Sequence, residues 1–389
     1  MAGLSTSIIR EMTVMSRVIA FQPPNQIGLG HINRLAAIAL AIQDVAPHIR
    51  TPFIIEGNSH GLLESFGLPE LCLPTDQDFS SRGRWNAWPR EQRNLLRQKL
   101  AQDILELLEV DLLVFDCFPS MALVRAAIGL HIKMVLVLRR VKSLSGYLSD
   151  KRVQFLLPHI DRVIIPHEET DFPEARALAP SVSYVGNVVR PLPVDPDPIS
   201  ARFHDVASKW IVITSGGGGY SESADFLNNA IQAFNQVRSD LPEFKALVIP
   251  GPMFAGWEKL KLSEHVRVLP FAPDLDSIFA TADLVICQGG YNTLLELAAL
   301  GTPTVCVPAQ RGFDDQFRRA SETADAYTNI RISSNSHPDD IALLVGEILG
   351  KGNLRRRDLR NSGSAAAANQ LYDLAMSLDI KHTRKAPGC

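Results

Sequence analysis

The chain has 389 residues, 46% hydrophobic and 21% charged, with a formal net charge of −3. That length exceeds one comfortable core and fits two domains, the composition is that of an ordinary soluble protein, and the charge gives no reason to expect a nucleic-acid partner. No apolar run spans a bilayer, the start lacks the design of a secretion signal, and Cys72, Cys117, Cys287, Cys306 and Cys389 are scattered free thiols by their spacing, so a cytoplasmic protein with no transmembrane segment is expected, free or peripheral to a membrane. In the first half, strands are predicted at Arg17–Phe21, Pro52–Glu56, Leu112–Asp116, Lys133–Leu138 and Arg162–Pro166. Helices fall between them at His31–Ala46, Pro89–Glu109, Ser120–Ile128 and Lys151–Pro158. The proline-dense Pro191–Pro198 reads as a spacer. The alternation then restarts with strands at Trp210–Thr214, Ala246–Ile249, Val266–Leu269, Leu284–Cys287, Thr304–Val307 and Asn329–Ile332, and Ala365–Leu378 is a terminal helix with Ser364 placed to cap it. Ser263, Asp274 and Asp314 also look like caps. The fold class is α/β, two Rossmann-like doubly wound domains facing a cleft, with ligands outside the strand C-termini.

The chemistry should therefore lie in turns that follow strands. After the first strand comes Gly28-Leu-Gly30-His31-Ile-Asn-Arg34. A histidine at a helix start loses its proton readily and suits a general base; the alternative is a capping or core histidine. Position 33 is Asn, so this is not the three-glycine dinucleotide fingerprint. Asp116, at the end of Leu112–Asp116, is either the carboxylate that orients His31 or the cap of the next helix. In the second half, Ser215 precedes Gly216, Gly217, Gly218 and Gly219, and Asp283–Cys287 leads into Gly289 and Gly290 and a helix carrying Asn292, Thr293 and Glu296. Glycine turns before helix starts offer bare N–H groups to phosphate, although many such turns only permit close packing. Two of them in one half-chain point to a nucleotide-sugar, with Glu296 accepting from two ribose hydroxyls; a solvated helix residue is the duller account. Asp314, Asp315 and Gln316 can bond sugar hydroxyls or cap a helix. Arg311 can pair with a phosphate, Phe271 and Ala272 can read a base edge, and Arg139, Arg140 and Lys142 either meet an anionic acceptor or are solvated. The basic-aromatic stretch Arg82–Arg90 stays unassigned, and the basic 351–361 stretch reads as solvated. Asp195 and Asp197, in the spacer, are discounted as metal ligands.

These residues resemble the GT-B glycosyltransferases, and within them the branch of the peptidoglycan N-acetylglucosaminyltransferase (MurG-like). The resemblance covers most of the chain and is strongest from Trp210 to Ala320. It rests on Gly216–Gly219, Phe271-Ala272, Gly289-Gly290-x-x-Thr293-x-x-Glu296 and Asp315-Gln316. It implies an inverting, metal-independent hexosyl or N-acetylhexosaminyl transferase with no cofactor, a UDP-sugar donor that is UDP-GlcNAc-like, and a small-molecule or lipid-linked acceptor. Glu296 would hold ribose, the Gln316 region the donor sugar, and the Phe271-Ala272 backbone uracil. His31 and Asp116 would be catalytic, and Gly28, Gly30, Arg34, Arg139 and Arg311 would serve the acceptor or neighbouring contacts. The implied domains are 1–192 for the acceptor, a linker at 193–205, 206–362 for the nucleotide-sugar, and 363–389 as a helix crossing back. The first turn departs from the triple-glycine form of the peptidoglycan enzyme. It is closer to the Gly-x-Gly-His-x-x-Arg turn of a nucleotide-sugar hydrolase of the same fold, so water is a rival acceptor. Nucleotide-sugar epimerases carry a second acid where Leu295 stands, which counts against them. A non-catalytic nucleotide-sugar-binding protein is the remaining alternative. The sequence assigns no oligomeric state.

Overall fold

A computed structural model describes residues 16–24, 29–75, 78, 88–179, 181–205, 208–312, 314–350 and 363–378. The predicted turn glycine Gly28, most of the Arg82–Arg90 stretch, the basic 351–361 stretch and Cys389 lie outside them.

The first sheet comprises β1 (Ile19–Gln22), β2 (Phe53–Ile55), β3 (Glu70–Cys72), β4 (Leu112–Asp116), β5 (Lys133–Val137), β6 (Arg162–Ile165) and β7 (Val182–Tyr184). Their order is β3-β2-β1-β4-β5-β6-β7, and every pairing is parallel. The second comprises β8 (Lys209–Thr214), β9 (Phe244–Ile249), β10 (Val266–Val268), β11 (Leu284–Cys287), β12 (Thr304–Cys306) and β13 (Ile330–Ile332). It runs β10-β9-β8-β11-β12-β13, again parallel throughout. Parallel sheets are covered on both faces, which is why the central strands are continuous apolar runs. All of Leu112–Asp116 and all of Leu284–Cys287 are buried. Each sheet has one place where strand order reverses, between β1 and β4 in the first and between β8 and β11 in the second. Crevices at those two places hold everything that follows.

Two apolar clusters sandwich each sheet. One cluster of the first sheet includes Leu35, Ile38 and Ile42 of the Gly30–Val45 helix together with Ala367, Ala368, Leu371 and Ala375 of the Gly363–Met376 helix. The last described helix thus completes the core of the first sheet. It enters through a close crossing. Gly363 N–H donates to Asn187 O at 2.7 Å, and Ser364 Oγ–H donates to Val189 O at 2.6 Å. Ser364 is therefore inside the helix and ties it to the other strand of the crossing, instead of capping it.

A Cβ on Gly363 would lie 2.5 Å from Gly186 O and 2.6 Å from Val185 O, and neither backbone atom can swing aside. Gly363→Ala is expected to cost about 1–3 kcal/mol, seen as a lower urea midpoint with an unchanged slope; an unaltered midpoint would show that the crossing is slack. Among the described residues, no helix is long and apolar enough to cross a membrane.

Candidate active site

The crevice of the first sheet is built by the ends of β1 and β4. β4 ends in Asp116, whose side chain is fully buried. The helix after β1 begins at Gly30, so His31 and Arg34, three positions apart, share the face turned toward Asp116. His31 Nδ1 is 2.9 Å from Asp116 Oδ1. Arg34 grips the same carboxylate with two parallel bonds, Nε–H to Oδ2 at 2.9 Å and NH2 to Oδ1 at 2.7 Å. The carboxylate can only accept, so it fixes the proton on Nδ1 and leaves Nε2 as the basic nitrogen. Burial favours neutral Asp116, but Arg34 and then His31 overcome it and hold the carboxyl well below its usual range. Burial likewise opposes a charge on Arg34, and Asp116 more than offsets it. For His31, burial wins over the help of Asp116 and lowers its affinity for a proton, with Arg34 and Arg139 acting in the same direction. Cys117, whose thiol is pushed up to about 12 by burial and by Asp116, is inert as a nucleophile at neutral pH.

Asp116 is thus not a helix cap. The next helix starts at Met121, with Ser120 in the cap position. Arg34 is not available to an acceptor either, because its side chain is 1% exposed and committed to Asp116.

The crevice of the second sheet is a cavity of about 160 Å³. Ser215–Gly218, Gly251, Phe271, Ala272, Gly290, Thr293 and Glu296 line it from one side, and Leu29, Gly30 and Asn33 from the other. The first turn needs glycine for its backbone: Gly216 and Gly218 have φ of 72° and 78°. A Cβ on Gly218 would also sit 2.4 Å from Pro250 O. The second turn differs from expectation. Gly290 is extended at φ −64°, ψ 141° and precedes the Tyr291–Leu300 helix, so no unusual backbone demands glycine there. Gly289 is small because Gln316 Cβ would meet its side chain at 3.2 Å.

Glu296 is 3% exposed. One of its oxygens accepts from Arg190 Nε–H at 3.0 Å, and both side chains are 5% exposed. Arg190 also packs over the Phe66 ring at 5.1 Å. Sequence reasoning missed Arg190, which stands just ahead of the proline spacer with no local pattern to mark it. Gln316 Oε1 accepts Ala309 N–H at 3.0 Å, which aims its amide NH2 away from that contact. Asp315 is the cap of the Gln316–Ala326 helix and accepts Arg318 N–H at 3.0 Å, so a direct sugar contact would have to compete with that bond. Asp314, expected as a cap, instead bridges Arg319 and Arg139. Asp274 occupies a cap position without making the capping bond, since Arg202 holds its carboxylate. Ser263 bonds Asn235 and caps nothing. The Arg311 guanidinium carbon is 3.7 Å from the centroid of the Tyr220 ring, and Tyr220 lines the cavity. Asp195 and Asp197 are exposed and join no candidate site.

The two crevices face each other and are in contact. Asn292 Nδ2–H donates to Gly30 O at 2.8 Å. Arg139 pairs with Asp314 at 2.8 Å, and Arg140 with Glu322. Tyr291 O–H donates to Pro166 O at 2.6 Å.

Residues 211–377 match the glycosyltransferase family 28 C-terminal domain. An uncharacterized glycosyltransferase of Methanosarcina acetivorans is 24% identical over 367 residues, 86% of this chain and 88% of that one. The UDP-N-acetylglucosamine–N-acetylmuramyl-(pentapeptide) pyrophosphoryl-undecaprenol N-acetylglucosamine transferase of Mannheimia succiniciproducens is 34% identical over 151 residues. That match spans 38% of this chain and 41% of that protein. The fold is shared with the crystal structure of Acinetobacter baumannii MurG at a TM-score of 0.52 and 18% identity, over 93% of this chain and the whole of that one.

Proposed function

We propose that this chain is a MurG-like GT-B glycosyltransferase that moves a hexose or N-acetylhexosamine from a UDP-sugar to an acceptor hydroxyl, with inversion and without a metal. One observation carries the reading. A carboxylate-oriented histidine, His31 Nδ1 at 2.9 Å from Asp116, stands at the start of the helix whose Gly30 and Asn33 line a cavity that Ser215–Gly218, Thr293 and Glu296 also line. The acceptor hydroxyl gives its proton to His31 Nε2 while its oxygen bonds to the anomeric carbon. The bond from that carbon to the diphosphate breaks, and UDP leaves with the electron pair. Asp116 stabilises the imidazolium as it forms. The start of the Tyr291–Leu300 helix, the bare amides of Ser215–Gly218 and the Arg311 guanidinium take up the charge on the departing diphosphate. Glu296 Oε1 is held by Arg190, and its other oxygen is the one offered to ribose. The Phe271-Ala272 backbone meets uracil, and the Gln316 amide meets the sugar. The relative from Mannheimia is named for UDP-N-acetylglucosamine and an undecaprenol-linked acceptor, which supports a lipid-linked acceptor here.

The test is release of UDP from a panel of UDP-sugars, with and without alcohol acceptors and with a chelator present. Acceptor-dependent release that survives chelation is expected. Release of free sugar at the same rate without any acceptor would convert the reading to hydrolysis, which the Gly30-His31-x-x-Arg34 turn also suits.

The protonation state gives a further check. His31 must be neutral to act, and burial moves its pKa below the ordinary 6.5. The base form is lost only as pH falls through that lowered value. The acidic limb of kcat/KM is therefore expected to have its midpoint below 6.5; a midpoint at or above it contradicts a buried base.

A further inference from the structure

Tyr291 lines the donor cavity and also packs against Arg34, which holds Asp116. It is the first residue of the helix whose start faces the donor cavity. From there it reaches across into the first half of the chain. Its hydroxyl donates to Pro166 O, just past β6, at 2.6 Å. Its ring lies 5.3 Å from the Arg34 guanidinium carbon and 5.9 Å from that of Arg319, with the His167 ring edge-on at 5.4 Å. The residue is 7% exposed, so the ring is a plug seated between the halves.

We propose that Tyr291 is a positioning residue that couples nucleotide engagement in the second half to the readiness of the His31 base in the first. The proposal rests on the donor reading given above. Arg34 holds Asp116 with two bonds, and Asp116 holds His31. When the halves are together, the Tyr291 ring covers the guanidinium and keeps water from the Arg34–Asp116–His31 cluster. Such a contact strengthens when desolvated. A diphosphate drawn to the start of the Tyr291–Leu300 helix fixes that helix, and with it the ring. When the halves part, the ring withdraws, water reaches the cluster, and the burial that makes His31 a neutral base is relaxed. The charged groups around the base are Asp116, Arg34 and Arg139, with the Cys117 thiol beside them. Around Tyr291 they are Arg34, Arg319 and Arg139, with Asp314 between the last two. His167, forced to about 3 by burial and then by Arg140, Arg34, Arg139 and Arg319, stays neutral throughout.

The test follows the His31 imidazole by NMR titration in the intact protein, with UDP as the probe and His31→Ala used to identify its signal among the ten histidines. Tyr291→Phe keeps the ring and loses the hydroxyl; Tyr291→Leu keeps apolar bulk and loses the ring. Without UDP, the His31 midpoint in Tyr291→Leu is expected to lie above wild type by about half a pH unit or more. The diphosphate charge raises the midpoint in all three proteins, and the burial added by an intact ring opposes it, so saturating UDP should shift wild type and Tyr291→Phe alike and move Tyr291→Leu further upward. Calorimetric UDP affinity should agree among the three within about threefold. A Tyr291→Leu protein whose His31 titrates like wild type, with and without UDP, overturns the proposal. So does a large loss of UDP affinity with no change at His31, which would make Tyr291 a nucleotide contact alone. If UDP binds none of the proteins, the donor reading fails separately, and the UDP-free comparison still decides the role of Tyr291.

Discussion

His31→Ala is expected to lower turnover about a thousandfold while UDP affinity stays within a factor of two or three. The split follows from where the residue sits. His31 is on the first-sheet side of the cleft, whereas the residues assigned to the nucleotide come almost entirely from the loops after β8, β10 and β11. Removing the imidazole also leaves Asp116 bonded twice to Arg34, so the buried carboxylate keeps its counter-ion and the fold should survive. Asp116→Asn would be a poorer probe. It would strip a buried guanidinium of its charge partner, and breaking such a pair costs about 3–5 kcal/mol. The measurement is UDP release with the accepted alcohol, alongside calorimetry with UDP. Equal losses of turnover and of binding would remove the base assignment.

Glu296→Ala is expected to weaken UDP binding by roughly 30- to 300-fold, about 2–3 kcal/mol, the scale of losing charge-assisted hydrogen bonds to two ribose hydroxyls. The same change leaves Arg190, 5% exposed, without the carboxylate at 3.0 Å that balances it. Part of the loss would then be structural, and a lower melting temperature should accompany it. Glu296→Gln separates the two effects. Its amide oxygen can still accept from Arg190 and from one hydroxyl, so stability should recover substantially while affinity recovers only in part. Unchanged UDP affinity in both variants, measured on folded protein, would refute the ribose role.

Much of this arrangement is legible in the sequence because parallel sheets bury both faces. β4 and β11 announce themselves as unbroken apolar runs, and their predicted limits match those observed. The edge strands β3 and β7 do not. Glu70-Leu-Cys and Val-Ser-Tyr are short and half wet, so no periodic apolar signal marks them. Asp116 is legible as the end of a predicted strand and His31 as the start of the helix after β1, and the structure puts the two in contact. Arg34 was legible in principle, since it lies one helical turn from His31, but its bidentate hold on Asp116 is a tertiary fact. Arg190 and Tyr291 reach Glu296 and Pro166, each more than a hundred residues away, and nothing local distinguishes either. The caps went astray for a related reason. Asp274 carries the right side chain in a cap position, but Arg202 takes its carboxylate; Asp314 stands one residue before the cap, Asp315, and pairs with Arg139 and Arg319.

The Gly363–Met376 helix seals the same apolar cluster that the Gly30–Val45 helix opens. On a ribosome adding about 5–20 residues per second, β7 is made roughly 180 residues before that seal emerges, a wait on the order of ten to forty seconds. During that interval the apolar cluster around Leu35, Ile38 and Ile42 lacks the cover that Ala367, Ala368, Leu371 and Ala375 later give it. The earlier-made half is therefore completed last, once the Gly363–Met376 helix has been translated.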